Sequence, residues 1–551
     1  MNDDLARLAD DYWQAILDQE PTWRHMLGDY SDVGRYEDAS RAHQEAFAAT
    51  LRDFAVRADA VEESGLDEQE RLTRGVVASS AIASADLIET PISGLATDPV
   101  HGLQGTLPLL MGLLAVPDEE VAGAMPDKLA GVGTHFRQMG DRIRESVPQG
   151  WVAAEFAVAE TIAQVEAALA VPPSDDPVLA AVKPGPGVDA DRLRAALQEA
   201  VEHDLRPGLE AYRDALRDVA LPQARSEERC GLSWLPGGEE AYDATLRYFT
   251  TTGRSAQEIH EIGLAQVAKL ADEYRALGPE VVGTDDLQEI FEAMRTDPKL
   301  HFEHGDELVE QSRVALARAE AAMADWFEVV PHAPCAVEGT RVGAKAFYFP
   351  PATDGSRGGT FFVNTSDPET WGRFELEAMA FHEGVPGHHL QLAIAAELPD
   401  SMPEFRKHLH NSAYAEGWGL YTERLSDEMG LYSASVDRMG MYSADSMRAC
   451  RLVVDTGLHA LGWSRQQAID YMVANSPLTE GVCRPEVDRY ICSPGQATSY
   501  MIGRLEIQRM RREAEQRQGD RFDIKKFHSA VLESGSMPLD VLDRLVATQL
   551  P

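Results

Sequence analysis

His382-Glu383-Gly384-Val385-Pro386-Gly387-His388-His389 gathers the side chains that a hydrolytic metal centre requires. Neutral imidazoles hold the ion, and a carboxylate takes a proton from the water beside it. In the compact H-E-x-x-H arrangement the two His stand at i and i+4 on one helical face. Here the next His are at i+6 and i+7. On a regular helix i+6 lies roughly 120° around the axis, and i+7 returns to the face about 10 Å further along. An unbroken helix therefore cannot close this site. Pro386-Gly387 supplies the break, because proline removes an amide donor and glycine accepts nearly any backbone angle. The segment then reads as H-E-x-G-H with two residues looped out, which returns His388 to His382. An irregular helix end with scattered His is the plainer reading of the same residues.

The next informative stretch is Tyr414-Ala415-Glu416-Gly417-Trp418-Gly419-Leu420-Tyr421-Thr422-Glu423. Glu416 follows His388 by 28 residues, room for one helix to end, a loop with Pro399 and Pro403 to turn, and a second helix to return. It is the candidate third ligand, leaving a fourth position for water. Ala415, Gly417 and Gly419 allow the helices to approach closely; glycine inside a helix is costly enough to need such a reason. Glu423, at i+7 from Glu416, suits a carboxylate that accepts a hydrogen bond from a ligating imidazole.

Phe381-His-Glu-Gly-Val-Pro-Gly-His-His-Leu-Gln391, Ala415 to Glu423, Arg451-Leu-Val-Val-Asp-Thr-Gly-Leu-His459 and Pro494-Gly-Gln-Ala-Thr-Ser-Tyr-Met-Ile-Gly503 resemble, in order, the signature blocks of the bacterial domain-of-unknown-function 885 family. The resemblance implies a mainly α, multi-helical, two-lobed fold like that of gluzincin metallopeptidases, with a small β-sheet beside the metal-binding helix. It implies no substrate. Spacing leaves His388 and His389 open as the second ligand; the family pattern favours His388. His389 then faces a neighbouring carboxylate or the substrate.

The chain has 551 residues, enough for two or three subdomains. Helical patterns fill residues 1–170, a proline-rich loop spans 171–187, and an irregular stretch spans 221–238, so the expected division is an N-terminal helical region, 1–225, and a catalytic region, 226–551. Strand signals at Ala344–Phe349 and Thr360–Asn364, separated by turn residues, mark a β element at about 335–365. Asp367-Pro368 reads as the start of the helix that runs into His382.

The net charge of −41 repels phosphate backbones and argues against nucleic-acid binding. No run reaches the ~18 apolar residues of a membrane span, and Leu107–Val116 is interrupted by Pro108 and Gly112. The opening Met-Asn-Asp-Asp has no basic, apolar leader pattern, and the five cysteines are unpatterned; both point to a cytoplasmic protein with free thiols.

Downstream, Tyr500 is the candidate hydrogen-bond donor to a developing oxyanion. Arg489 and Arg504, with Arg484, are candidate forks for a peptide carboxylate or partners in ordinary ion pairs. Asp455 and His459, at i and i+4, either support the metal ligands or pair with each other. Asn364, ending its strand, is a further candidate at the substrate side. His408 and His410 are read as non-ligands.

The leading expectation is a hydrolase holding one zinc ion on His382, His388 and Glu416, with Glu383 as general base and a short peptide as substrate. Hydrolysis of a small amide or ester uses the same groups. A metal-stabilised binding protein without turnover has no use for Glu383. The oligomeric state is not encoded in any pattern found.

Overall fold

The computed structural model describes residues 2–341, 343–351 and 357–551. Its first three long helices are α1 (Asp3–Gln19), α2 (Arg41–Ala60) and α3 (Glu68–Ile88). Leu5, Leu8 and Tyr12, with Ala9, Trp13 and Leu17 beside them, line one buried face of α1, the spacing of three and four that an amphipathic helix needs. Asn2 caps α1, and Asp67 with Glu70 forms a capping box on α3. Next come α4 (Glu119–Ser146) and α5 (Arg206–Ala215), which pack together. They are followed by α6 (Ala256–Val281) and α7 (Gly305–Trp326).

The β element has three strands, β1 (Cys335–Thr340), β2 (Ala346–Phe349) and β3 (Gly359–Asn364). Their order is β1-β3-β2; β3 pairs parallel with β1 and antiparallel with β2, with Phe361 opposite both Val337 and Tyr348. Thus β2 is an edge, and it packs on the next helix, α8 (Glu375–Glu383). Then follow α9 (His388–Ala396), α10 (Ser412–Glu428), α11 (Ser435–His459), α12 (Glu480–Cys492) and α13 (Ser499–Gln518). The architecture is mainly helical with one small mixed sheet, as the sequence pattern indicates.

Two features differ from the sequence expectation. The helix leading to His382 begins at Glu375, not at Pro368. Between them, Trp371 O accepts from Phe302 N–H at 3.1 Å and Arg373 N–H donates to Leu300 O at 2.6 Å. These contacts with a distant segment replace the first helical turns. Second, residues 1–225 do not form one packing unit. Leu107 to Ala220 and Val33 build a core of their own, whereas Leu5 to Ala85 share a core with residues 302–550. Arg406 fastens that shared core: fully buried, it donates to Gln69 Oε1 at 3.0 Å, Thr73 Oγ1 at 3.3 Å and Ser534 O at 2.5 Å.

Helix α11 is buried on every side from Met439 to His459 and packs along α6. Helix α10 crosses α13 at Gly417 and Gly503, so close that a Cβ on Gly417 would meet the Gly503 carbonyl carbon at 2.5 Å. In turn, α8 packs against α11, α10 and β2.

Candidate metal centre

Helix α8 ends at Glu383, and α9 begins at His388. The four residues between form a tight loop containing a cis Val385–Pro386 bond, held from outside by Trp418 Nε1–H, which donates to Pro386 O at 3.0 Å. The loop folds back onto the end of α8, so that a Cβ on Gly387 would strike the His382 carbonyl oxygen. The helix is thus interrupted at 384–387, where Pro-Gly placed the break.

This fold-back brings the imidazoles of His382 and His388 to 4.7 Å between ring centres at an interplanar angle of 84°. Both Nε2 atoms lie 3.6 Å from the same oxygen, Glu416 Oε2, and the three donor atoms lie within 4.8 Å of one another. Two ligands at ~2.1 Å on a tetrahedral ion stand about 3.4 Å apart, so the spacing suits one small cation. Gly419 makes room for the ring: a Cβ there would meet His382 Cε1 at 2.6 Å.

The outer contacts fix the tautomer. His382 Nδ1–H donates to Glu423 Oε1 at 2.8 Å, so the neutral ring, the form that a metal ion would bind, carries its lone pair on Nε2, toward Glu416. Glu423 is 1% exposed, and Arg448 Nη2 stands 3.9 Å from it. Burial disfavours protonation of His382, but Glu416 and Glu423 outweigh it and push the pKa up to about 9; in turn the two imidazoles overcome burial and hold Glu416 well below the usual carboxylate range. Such a cluster attracts positive charge.

Glu383 follows His382 on the last turn of α8. It is half-buried, and among the described residues its carboxylate has no hydrogen-bond or ion-pair partner. Tyr500 opens α13, half-buried. Burial, then the charge of Glu416, raises its pKa, so its hydroxyl stays protonated. The Arg451 guanidinium lies 4.4 Å above its ring, anchored by Glu486 and the Tyr490 hydroxyl, each at 2.9 Å. Arg451 was not singled out by sequence, since stacking across α11 and α13 leaves no local pattern.

The remaining candidates fall elsewhere. His389 turns away from the cluster: Nε2–H donates to Ala333 O at 3.0 Å, and Nδ1 accepts from the Tyr348 hydroxyl at 2.8 Å, tying α9 to β2. Arg489 binds Gln496 and Glu486 at 2.6 and 2.9 Å, and Arg504 is locked to the buried Asp445. Both are engaged in internal pairs, as is Arg484 with Glu480. Asn364 accepts from Ser366 Oγ at 2.6 Å and donates to Gly343 O at 3.1 Å, closing a turn.

Asp455 and His459 neither pair nor support the ligands. Asp455 accepts from the Tyr242 hydroxyl at 2.5 Å and from Gly495 N–H at 3.0 Å, anchoring the loop before Tyr500. His459 accepts from Leu232 N–H and donates to Tyr490 O, and burial lowers its pKa to about 4. Burial raises Asp455 to about 7 against those two hydrogen bonds. The folded state therefore binds a proton that the unfolded chain releases near pH 4. Stability contributed by this group is full below pH ~4 and is lost as pH rises toward 7. Asp455→Asn is expected to flatten that part of the stability–pH curve in denaturant titrations; an unchanged slope would remove Asp455 as its source.

Among the described residues no helix is long and apolar enough to cross a membrane, and all five cysteines are free. In comparisons with solved structures, the fold is similar to that of the "putative lipoprotein" from Colwellia psychrerythraea, with a TM-score of 0.91 and 24% identity, covering 99% of this chain and 98% of that one. It is also similar to a "putative lipoprotein of unknown function" from Shewanella oneidensis, with a TM-score of 0.77 and 20% identity, covering 98% and 99%. No curated protein matches the sequence. Residues 21–546 match the family described as "Bacterial protein of unknown function (DUF885)", and the chain belongs to that family.

Proposed function

We propose that the chain is a zinc-dependent hydrolase that cleaves short peptides in the manner of a metallopeptidase. The observation that carries this reading is the convergence of His382 Nε2, His388 Nε2 and Glu416 Oε2, with the unpartnered Glu383 carboxylate beside them. Three protein ligands and an open fourth position are the arrangement of a catalytic rather than a structural zinc site. The donor set fits zinc in kind as well as spacing: two imidazoles and one carboxylate, one imidazole oriented by Glu423.

Bound there, zinc would acidify a water and polarise the scissile carbonyl. The chain's own groups supply the rest. His382 and His388 hold neutral nitrogens toward the site, and Glu416 adds one negative charge. Glu383 accepts the proton of the attacking water and returns it to the leaving amine. The Tyr500 hydroxyl donates to the oxygen on which charge develops. A peptide is favoured over other amides because β2 is a sheet edge packed on α8, and an edge strand offers unpaired backbone groups to an extended chain.

Protein purified without chelator is expected to carry about one zinc per chain by elemental analysis. His382→Ala and His388→Ala should each lose it. Wild-type protein without stoichiometric metal would end this reading. Digestion of a short-peptide library, run beside a panel of small amides and esters, tests the substrate class; turnover confined to the small-molecule panel would transfer the site to metabolite hydrolysis.

A further inference from the structure

Met294, Trp371, Phe374, Ser443, Leu478 and Val482 line a cavity of about 620 Å³ between the start of α8, the first half of α11 and the start of α12. Pockets that enclose small ligands run from roughly 300 to 1,000 Å³. Two elements tie this cavity to the metal cluster. The first is α8: Glu375 lines the cavity, and His382 stands seven residues on along the same helix. On a regular helix i+7 returns to within about 20° of the same face, about 10 Å further along. The cavity thus lies against the face of α8 that presents His382, two turns before it. The second element is β2, which packs on α8. Lys345, the residue before β2, lines the cavity. Near the other end of the strand, the Tyr348 hydroxyl donates to His389 Nδ1 at 2.8 Å, beside the ligand His388. From Lys345 to Tyr348 a strand advances about 10 Å. Helix and strand therefore run the same distance from the metal segment to the cavity.

The lining decides what fits. Met294, Trp371 and Phe374 belong to the buried core, whereas Val482 is an apolar side chain 41% exposed. Both cations of the lining are already engaged. Lys345 Nζ donates to Glu375 Oε2 at 2.5 Å and to Thr370 O at 3.1 Å. Arg295 donates to Leu478 O at 3.0 Å and to Ser476 O at 2.5 Å. Asp367 and Glu369, also in the lining, are exposed and disfavour an acidic guest. An apolar group can enter such a space without leaving a charge unpaired. We propose that this cavity is a substrate subsite, which takes an apolar side chain three residues from the scissile bond of a peptide extended along β2. This rests on the hydrolase reading above and adds to it a requirement for length and for side-chain type. An extended chain advances about 3.3 Å per residue, so three residues cover the distance from the metal to the cavity.

The test uses zinc-loaded full-length protein and sets of peptides that differ only in the third residue on one or the other side of the scissile bond: Leu, Phe, Gly or Asp. On one side, Leu or Phe should raise kcat/KM by about 10- to 100-fold over Gly, and Asp should fall below Gly. Gly481→Trp and Val482→Asp alter two further positions of the lining, and each should bring the Leu-to-Gly ratio close to one. A Cβ on Gly481 meets only Thr479 Oγ1, at 3.8 Å, and Val482 is exposed, so Tm and zinc content should stay at wild-type values. A general disturbance of the fold would depress both peptides of a pair and leave their ratio unchanged. Equal kcat/KM for Leu and Gly on both sides in wild type would overturn the assignment, as would a preference that survives in both variants. If wild type cleaves no peptide of any set, the hydrolase reading fails and the subsite falls with it. Cleavage without a preference removes the subsite alone.

Discussion

Glu383→Gln is expected to lower kcat by about 10³-fold while zinc content, Tm and peptide affinity remain near wild type. The substitution keeps the shape of the side chain and removes only its ability to take a proton. Glu383 is not one of the three converging side chains that could hold a metal, and it has no internal partner among the described residues, so its loss would leave neither the proposed ion nor the fold short of a contact. A half-buried carboxylate on the last turn of a helix otherwise packed on α11 and the sheet has no structural task to explain it. The measurement is single-turnover hydrolysis alongside metal analysis. Full activity in a variant that still holds metal would favour a metal-stabilised binding protein. Loss of metal together with activity would make Glu383 a ligand and overturn the division of roles.

The helix break in the candidate metal segment was legible because the departure from helical spacing comes with its own cause. His at i+6 makes no site on a regular helix, and Pro386-Gly387 supplies the break that corrects it. Gly417 and Gly419 were equally readable: each leaves free the space that a close neighbour, Gly503 or His382, requires. Where partners are distant, the sequence was silent. Strand β1 contains Glu338 and Gly339 and is specified by its parallel pairing to β3 across the turn-rich segment, not by local alternation. The i, i+4 spacing of Asp455 and His459 suggested a pair, but that rule describes solvated helix faces. On α11, buried all round, Tyr242, Gly495, Leu232 and Tyr490 reach these groups first. The shared core of residues 5–85 with 302–550 has no signal within either segment.

Gly387→Ala is expected to weaken zinc binding by about 100-fold without altering any ligand. The added Cβ would land on the carbonyl oxygens of His382 and Phe381. These are backbone atoms at the end of α8, so no side-chain rotation relieves the clash. Either the 384–387 loop opens or the last turn of α8 unwinds. Both movements draw His388 Nε2 away from Glu416 Oε2, where it now lies at 3.6 Å. Because a ligand at free concentration L that binds only the folded protein stabilises it by RT ln(1 + L/Kd), added zinc should raise the Tm of the metal-free wild type more than that of metal-free Gly387→Ala at the same zinc concentration. Gly105→Ala is the control: a Cβ there meets nothing within 4 Å, and alanine suits its helix better than glycine. Competition with a chelator of known affinity gives the zinc constant for each protein. If Gly387→Ala holds zinc as tightly as wild type, the fold-back of this loop is not what builds the site.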